Sequence, residues 1–279
     1  RRNFILGSAA LGAAATGLTP AQAKSLWSPG SDLIAERDKD LFFIGLEEHY
    51  ATEEIQQRNG IRFPKGKPEF DINEVGAGRI AHMDAANLSI QVLSSLTPGP
   101  QNIQGAEGVT FARKINNWIA KTVIPAYPDR FKAFAALPLS EPEAAADELE
   151  RCVKELGFVG AMTYGAVRGK FLDDPTFEPV LARAEALNVP IYIHPNWASQ
   201  QVIDTYYSGF ENPIVGKVLS GPGYGWHQEV AIQSLRLITQ GTFDKFPNLQ
   251  IIIGHMGEGL PFYYWRFGDD LADVTRHTL

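Results

Sequence analysis

Apolar runs alternate with amphipathic stretches through most of the chain. Six of these runs are rich in β-branched and aromatic residues: Leu41–Leu46, Ile90–Ser94, Phe131–Leu137, Phe158–Thr163, Val189–His194 and Leu249–Gly254. Several are apolar almost without interruption, which predicts parallel strands covered on both faces. Between them, apolar positions recur at helical spacing. Ser140-Glu141-Pro142-Glu143 has the form of a capping box with Pro early in the first turn, and Leu149, Val153 and Leu156 then share a face. Gly157 supplies the stop. Asp174-Pro175 opens another predicted helix, with Phe177, Val180, Leu181, Ala184 and Leu187 on one side. Strands alternating with helices place the chain in the α/β class with a parallel sheet.

The next choice is between an open sheet and a closed barrel. No Gly-x-Gly-x-x-Gly turn follows the first strand, so a dinucleotide-binding fold lacks its main signal. Instead, ligand-type side chains stand at the carboxyl ends of several strands, the pattern of a (β/α)8 TIM barrel. Six strands are legible where a full barrel has eight. The expectation is therefore a barrel domain over residues 42–279 that stops before its last two strands, a fragment of a longer protein.

The front of the chain reads differently. Arg1-Arg2-Asn3-Phe4 is followed by an Ala/Gly-rich apolar stretch to Leu18 and then by Ala21-Gln22-Ala23. A charged start, a short apolar middle and an A-x-A end predict a signal peptide over residues 1–23, and the Arg pair gives it a twin-arginine character. The expected destination is the periplasm. The apolar stretch is shorter than the ~20 residues of a membrane span. Residues 24–41 are polar and read as a linker.

Composition narrows the chemistry. With 25 Lys and Arg against 32 Asp and Glu, the net charge is −7, which does not favour a nucleic-acid surface. The 44% hydrophobic and 20% charged content excludes a disordered chain, a collagen and a coiled coil. Cys152 is the one cysteine, so neither an intramolecular disulfide nor a thiolate-rich zinc site can form. Any metal must be held by histidines and carboxylates.

Such residues stand in suggestive places. Glu47 and His49, two apart on the first strand, project from one face, and Glu48 from the other. A carboxylate beside an imidazole at a barrel mouth is half of a divalent-metal site. His194 ends the fifth strand, where Pro195 stops it. His255 follows the sixth, and Glu258 lies three residues on, within a turn's reach of the imidazole. That contact would set the tautomer of His255 and raise its basicity. His82 reads as a helix residue that packs or faces solvent, and Cys152 as a small core residue. Trp226 and His227 fall in a long Gly- and aromatic-containing excursion between the fifth and sixth strands, read as a loop over the mouth. His277 stands too near the end to interpret.

Glu47-x-His49, Pro190-Ile191-Tyr192-Ile193-His194-Pro195 and Gly254-His255-Met256-Gly257-Glu258-Gly259-Leu260-Pro261-Phe262 resemble the metal-dependent amidohydrolase-related family. More narrowly, they resemble its branch of aminocarboxymuconate-semialdehyde and hydroxybenzoate decarboxylases. The resemblance runs from about Leu46 to Arg266 and includes Met83-Asp84-Ala85-Ala86, Val92-Leu93-Ser94, Pro128-Asp129-Arg130-Phe131 and Leu235-Arg236-Leu237. It implies one catalytic divalent ion, zinc first and manganese as the alternative, with Glu47, His49 and His194 as ligands. It implies a catalytic His255 with Glu258 as its neighbour. It places Arg266 where related decarboxylases reach the substrate of a neighbouring subunit, hence a homodimer or larger. The family's remaining ligand is an aspartate after a later strand; Asp269, Asp270 and Asp273 come too soon and look helical.

The implied activity is a carboxy-lyase acting on a small aromatic acid, with Trp226 and Phe262 offering apolar walls to a flat ring. The alternative is a hydrolase of an amide, ester or lactone, in which the same ligands activate a metal-bound water.

Overall fold

The structure, a computed structural model, describes residues 41–60 and 71–272. The expected signal peptide 1–23, nearly all of the linker 24–41, and His277 lie outside the described residues.

Parallel strands form in chain order: β1 (Ile44–Tyr50), β2 (Ile90–Ser95), β3 (Phe131–Ala133), β4 (Ala135–Ala136), β5 (Ala161–Tyr164), β6 (Ile191–His194) and β7 (Ile251–Ile253). The helices α1 (Glu53–Asn59) and α2 (Ala77–Ala85) follow β1, and α3 (Gly105–Trp118) follows β2. Next come α4 (Pro142–Leu156) before β5 and α5 (Glu178–Leu187) before β6. The excursion after β6 carries α6 (Gln200–Tyr206) and α7 (Pro213–Ser220), then α8 (Gly225–Thr239) and α9 (Thr242–Lys245). After β7 comes α10 (Leu260–Ala272). Among the described residues no helix is long and apolar enough to cross a membrane.

The ladders order the strands β1-β2-β3 and β4-β5-β6-β7. The two groups are physically continuous, because β3 and β4 are one run of chain. Phe134 N–H donates to Leu93 O on the β2 side at 2.9 Å, and Ala135 N–H to Gly160 O on the β5 side at 2.8 Å. Two residues past the change of partner, Asn116 of α3 binds both backbone groups of Ala136, which stays in register with Met162 of β5: its Oδ1 accepts from Ala136 N at 3.0 Å and its Nδ2 donates to Ala136 O at 3.0 Å. Nδ2 also donates to Glu148 of α4 at 2.9 Å, and Arg151 binds that carboxylate in turn at 2.6 Å. The predicted strand Phe131–Leu137 is thus one run of chain whose ladder partner changes from β2 to β5 at Phe134.

The result is an arc of a TIM-type barrel with β1 and β7 at its two edges. Successive side chains along each strand feed two cores. Val92, Phe134, Met162, Tyr164 and Tyr192 pack together on the concave side. Leu93, Ala133, Ala135, Ala161, Ile191 and Ile193 face the helices, where Phe111, Ile115, Leu149, Cys152 and Leu181 meet them. Cys152 is fully buried there, as its helical position suggested.

Some local expectations are corrected. The first strand begins three residues later than expected and runs on through Tyr50, because Glu48, His49 and Tyr50 pair with Leu93, Ser94 and Ser95 of β2. A bulge between Gly45 and Glu48 absorbs one extra residue. Ser140 does not cap α4; its hydroxyl donates to Gln101 O at 2.9 Å, while Glu141 takes the N-cap position without a side-chain bond to the helix, its carboxylate accepting from Gly105 N at 2.7 Å instead. Asp174 caps a short 3-10 turn, Pro175–Phe177, before α5 begins at Glu178. His227 lies in the first turn of α8 rather than in a loop.

Replacing Asn116 with Ala leaves Ala136 N–H, Ala136 O and Glu148 short of partners in a buried site. Urea denaturation is expected to show a loss of about 1–3 kcal/mol; an unchanged midpoint would show that Asn116 does not hold Ala136 in place.

Candidate active site

The carboxyl ends of β1, β2, β5, β6 and β7 meet at one mouth. β1 delivers Glu47 and His49, β6 delivers His194, and the turn after β7 delivers His255. Glu47 Oε1 lies 3.3 Å from His194 Nε2, 3.1 Å from His255 Nε2 and 4.0 Å from His49 Nε2. His49 Nε2 and His194 Nε2 are 3.0 Å apart, with their rings edge to face.

Each of these groups is held from behind. Tyr192, two residues before His194 on β6, donates its hydroxyl to Glu47 Oε2. Ser94, opposite His49 in the parallel register, places its hydroxyl 2.9 Å from His49 Nδ1. Arg79 of α2 donates to His49 O at 2.7 Å. His194 Nδ1 donates to Pro195 O at 2.6 Å. A carbonyl only accepts, so Nδ1 carries the proton of the neutral ring and Nε2 turns its lone pair to the centre.

The turn after β7 is unusual. His255, Met256, Gly257, Glu258 and Gly259 all have positive φ, at 47°, 56°, 81°, 55° and 76°. The left-handed region costs a non-glycine residue roughly 1–2 kcal/mol, so such a run persists only where its surroundings over-determine it. Here Gly257 N–H bonds back to Gly254 O at 2.8 Å. Glu258, whose side chain is completely buried, binds His255 Nδ1 through Oε1 at 2.6 Å and His227 Nδ1 through Oε2 at 2.6 Å. The entry to the turn must also be glycine. A Cβ on Gly254 would collide with the Tyr192 hydroxyl and lie 2.7 Å from Glu47 Oε2.

The electrostatics follow from this packing. Burial alone would raise the Glu47 carboxyl, but its polar contacts with His194, His255 and Tyr192 outweigh burial and hold it well below the usual range. Burial, and then repulsion from His194, pulls His49 down to about 3. The contacts of His255 with Glu258 and then Glu47 raise its imidazole to about 10. The centre therefore combines an anionic Glu47, a neutral His49 and a basic His255 at its rim.

Glu47, His49 and His194 present ligand atoms close enough together to hold a metal ion. Two nitrogens each about 2.1 Å from one ion at a right angle would lie about 3.0 Å apart. The His49–His194 separation of 3.0 Å matches that spacing. In the tautomer where Ser94 accepts from His49 Nδ1, both Nε2 lone pairs face one point beside an ionised carboxylate, the donor set of a divalent-metal site. The residues present fit a divalent ion.

Other sequence-selected residues are placed less centrally. The Trp226 ring lies 6.4 Å from the His194 ring and 5.4 Å from that of Trp197, at the edge of the mouth. Its indole N–H is buried without a hydrogen-bond partner. Arg266 and Phe262 sit on α10 facing outward; Arg266 pairs with Asp270 at 3.0 Å, and Phe262 is 91% exposed. His82 is exposed on α2. Sequence reading missed Ser94, Tyr192 and the part played by His227. Tyr192 was available to it, since a residue two before His194 on a strand shares its face.

Comparison with known proteins gives consistent neighbours. The Amidohydrolase family profile matches residues 67–274. The decarboxylase orsB of Emericella nidulans is 39% identical over 233 residues, covering 81% of this chain and 68% of its own length. A 2,6-dihydroxybenzoate decarboxylase complexed with 2,6-dihydroxybenzoate superposes with a TM-score of 0.73 at 36% identity, over 85% of this chain and 74% of that one. A dihydroxybenzoic acid decarboxylase from Polaromonas sp., with bound manganese and the inhibitor 2-nitroresorcinol, gives 0.73 at 37% identity, over 84% and 71%.

A Gly254→Ala variant tests the packing behind Glu47. The added methyl is expected to displace the carboxylate and weaken divalent-metal affinity about tenfold or more, measured by competition with a chelator. Wild-type affinity in a folded variant would show that the Tyr192–Glu47 contact does not position the ligand.

Proposed function

Because the chain belongs to the amidohydrolase family, we propose that the site is that of a metal-dependent carboxy-lyase acting on a small hydroxybenzoate with an oxygen ortho to its carboxylate. The observation that carries this reading is the convergence of Glu47, His49 and His194 on one point, with His255 beside them and Glu258 buried behind it. The similarity to orsB and to the dihydroxybenzoate decarboxylases sets decarboxylation above hydrolysis.

Glu47 Oε1 and the Nε2 atoms of His49 and His194 would hold the ion. When bound, it supplies Lewis-acid stabilisation to the substrate carboxylate and its ortho oxygen. Two imidazoles and a carboxylate accept zinc as well as manganese. The manganese in the Polaromonas structure makes manganese the first ion to supply.

Direct loss of CO₂ from an aromatic acid would leave a carbanion in the ring plane, outside the π system. Protonating the ring carbon first avoids it. His255 holds a proton at Nε2 facing the centre, and Glu258 at its Nδ1 stabilises the charged ring. The proton passes from Nε2 to the ring carbon that bears the carboxylate. That carbon–carboxylate bond then breaks, its electron pair restores the aromatic ring, and CO₂ departs. Trp226 borders the space for the flat ring. Arg266, exposed on α10, is available to the substrate of a second copy, so a homodimer belongs to this reading. Export through residues 1–23 belongs to it as well, and is supported by the Arg1-Arg2 start and the Ala21-Gln22-Ala23 end of that segment.

CO₂ release from a panel of ortho-hydroxybenzoates is expected to require a divalent ion and to stop with a chelator. His255→Ala should keep its metal content and lose about 10²–10⁴-fold in turnover; undiminished turnover would end the catalytic role of His255. A metal-loaded protein that releases no CO₂ from any member would turn the reading to hydrolysis. Cell fractionation of the chain expressed with residues 1–23 should recover it in the periplasm, and retention in the cytoplasm would discard the export signal.

A further inference from the structure

We propose that His227 is a positioning residue for His255, acting through Glu258. The inference rests on the decarboxylase reading above for the role of His255, and on geometry for everything else.

Glu258 is a buried carboxylate on a left-handed turn, with no exposed side-chain surface. A carboxylate in that setting is costly unless both oxygens are bonded. His255 satisfies Oε1, and within one turn of chain it is the ion-pair partner. Oε2 is satisfied from a different element, by His227 Nδ1 at 2.6 Å. Without that bond, Oε2 is left unpaired in a buried site and the Glu258 side chain loses one of the two contacts that fix its orientation toward His255.

His227 is itself held on both sides. Its backbone N–H bonds to Tyr224 O at 3.1 Å in the first turn of α8. Its Nε2 lies 3.2 Å from Pro222 O, so the ring spans from the end of the excursion to the carboxylate. The rings of His227 and His255 meet edge to face, with centroids 4.8 Å apart. Two imidazoles thus grip one buried carboxylate, and three positions from two separate parts of the chain become a single unit. The active histidine is thereby registered against the start of α8 and the loop that leads into it. Neither Glu47, His49 nor His194 takes part in this grip, so its loss should spare the metal.

The test compares His227→Ala, His227→Asn and His227→Gln in the manganese- or zinc-loaded protein. An Asn amide nitrogen stands near the place of Nδ1 and can donate to Glu258; a Gln amide reaches instead toward the Nε2 position and Pro222. His227→Ala and His227→Gln are expected to lower kcat by about 10-fold to 100-fold, with KM and metal content unchanged. His227→Asn should restore most of kcat. The second readout is independent of turnover: proton–nitrogen NMR of the zinc-loaded protein with labelled histidine. The His255 Nδ1–H signal, marked by its absence in His255→Ala, should move or broaden in His227→Ala and return in His227→Asn. Wild-type kcat and an unmoved His255 signal in His227→Ala would overturn the proposal. Equal losses in Ala and Asn, tracking a lowered Tm in both, would also overturn it in favour of simple packing. If the wild type releases no CO₂ from any acid, the decarboxylase reading falls, while the His255 signal still decides whether His227 positions it.

Discussion

A carboxylate withdrawn from water has to be surrounded by donors or cations, and Glu47 organises the site through that requirement. Its oxygens draw in Tyr192 and His194 from β6 and His255 from beyond β7, so one side chain on β1 ties both edges of the strand arc together. Burial and polar contact pull its protonation in opposite directions, and contact wins, which leaves a fixed negative charge at the mouth. His49, buried and beside another imidazole, is driven to the neutral form that a metal ligand needs. The candidate metal centre follows from where β1 and β6 end.

The approach to Glu47 also dictates backbone. Gly254 has to be small because the Tyr192 hydroxyl and the Glu47 carboxylate occupy the space a Cβ would take. The chain then enters five residues of positive φ, three of them not glycine. That run would relax in isolation. It is held by Glu258, which is buried and bonded to two imidazoles. Strain in the turn and precision at His255 are the same feature seen from two sides: the conformation that costs energy also fixes where the imidazole points.

Behind the mouth, the barrel wall keeps two cores apart. The concave cluster places Tyr164 and Tyr192 directly under His49, His194 and Glu47, while the outer core locks the strands to their helices. Two sets of buried polar side chains close on themselves. Asn116, Glu148 and Arg151 form one beside Ala136, and Ser94, His49 and His194 another at the candidate metal centre. In each set a buried group is satisfied by an element distant in sequence, and this makes the arc rigid enough to hold ligands at fixed separations.

Much of this was written locally in the chain. Apolar runs separated by helical patterns specified parallel strands and the α/β class, because a strand covered on both faces has no polar side to alternate with. The spacing of Glu47 and His49 determined that they share a face, and the apolar run ending at His194 determined that it stands at a strand end. The turn from His255 to Glu258 was short enough to predict their contact. Other features depended on register and on meetings between remote segments, and only the tertiary structure decided them. The bulge in β1 sets Ser94 opposite His49. Asn116 reaches from α3 to bind both backbone groups of Ala136. His227, read as part of a loop, begins a helix whose first turn reaches Glu258, 31 residues on. Periodicity reports which way a side chain points from its own element. It carries no information about which distant group will be waiting there, since that depends on how the elements pack.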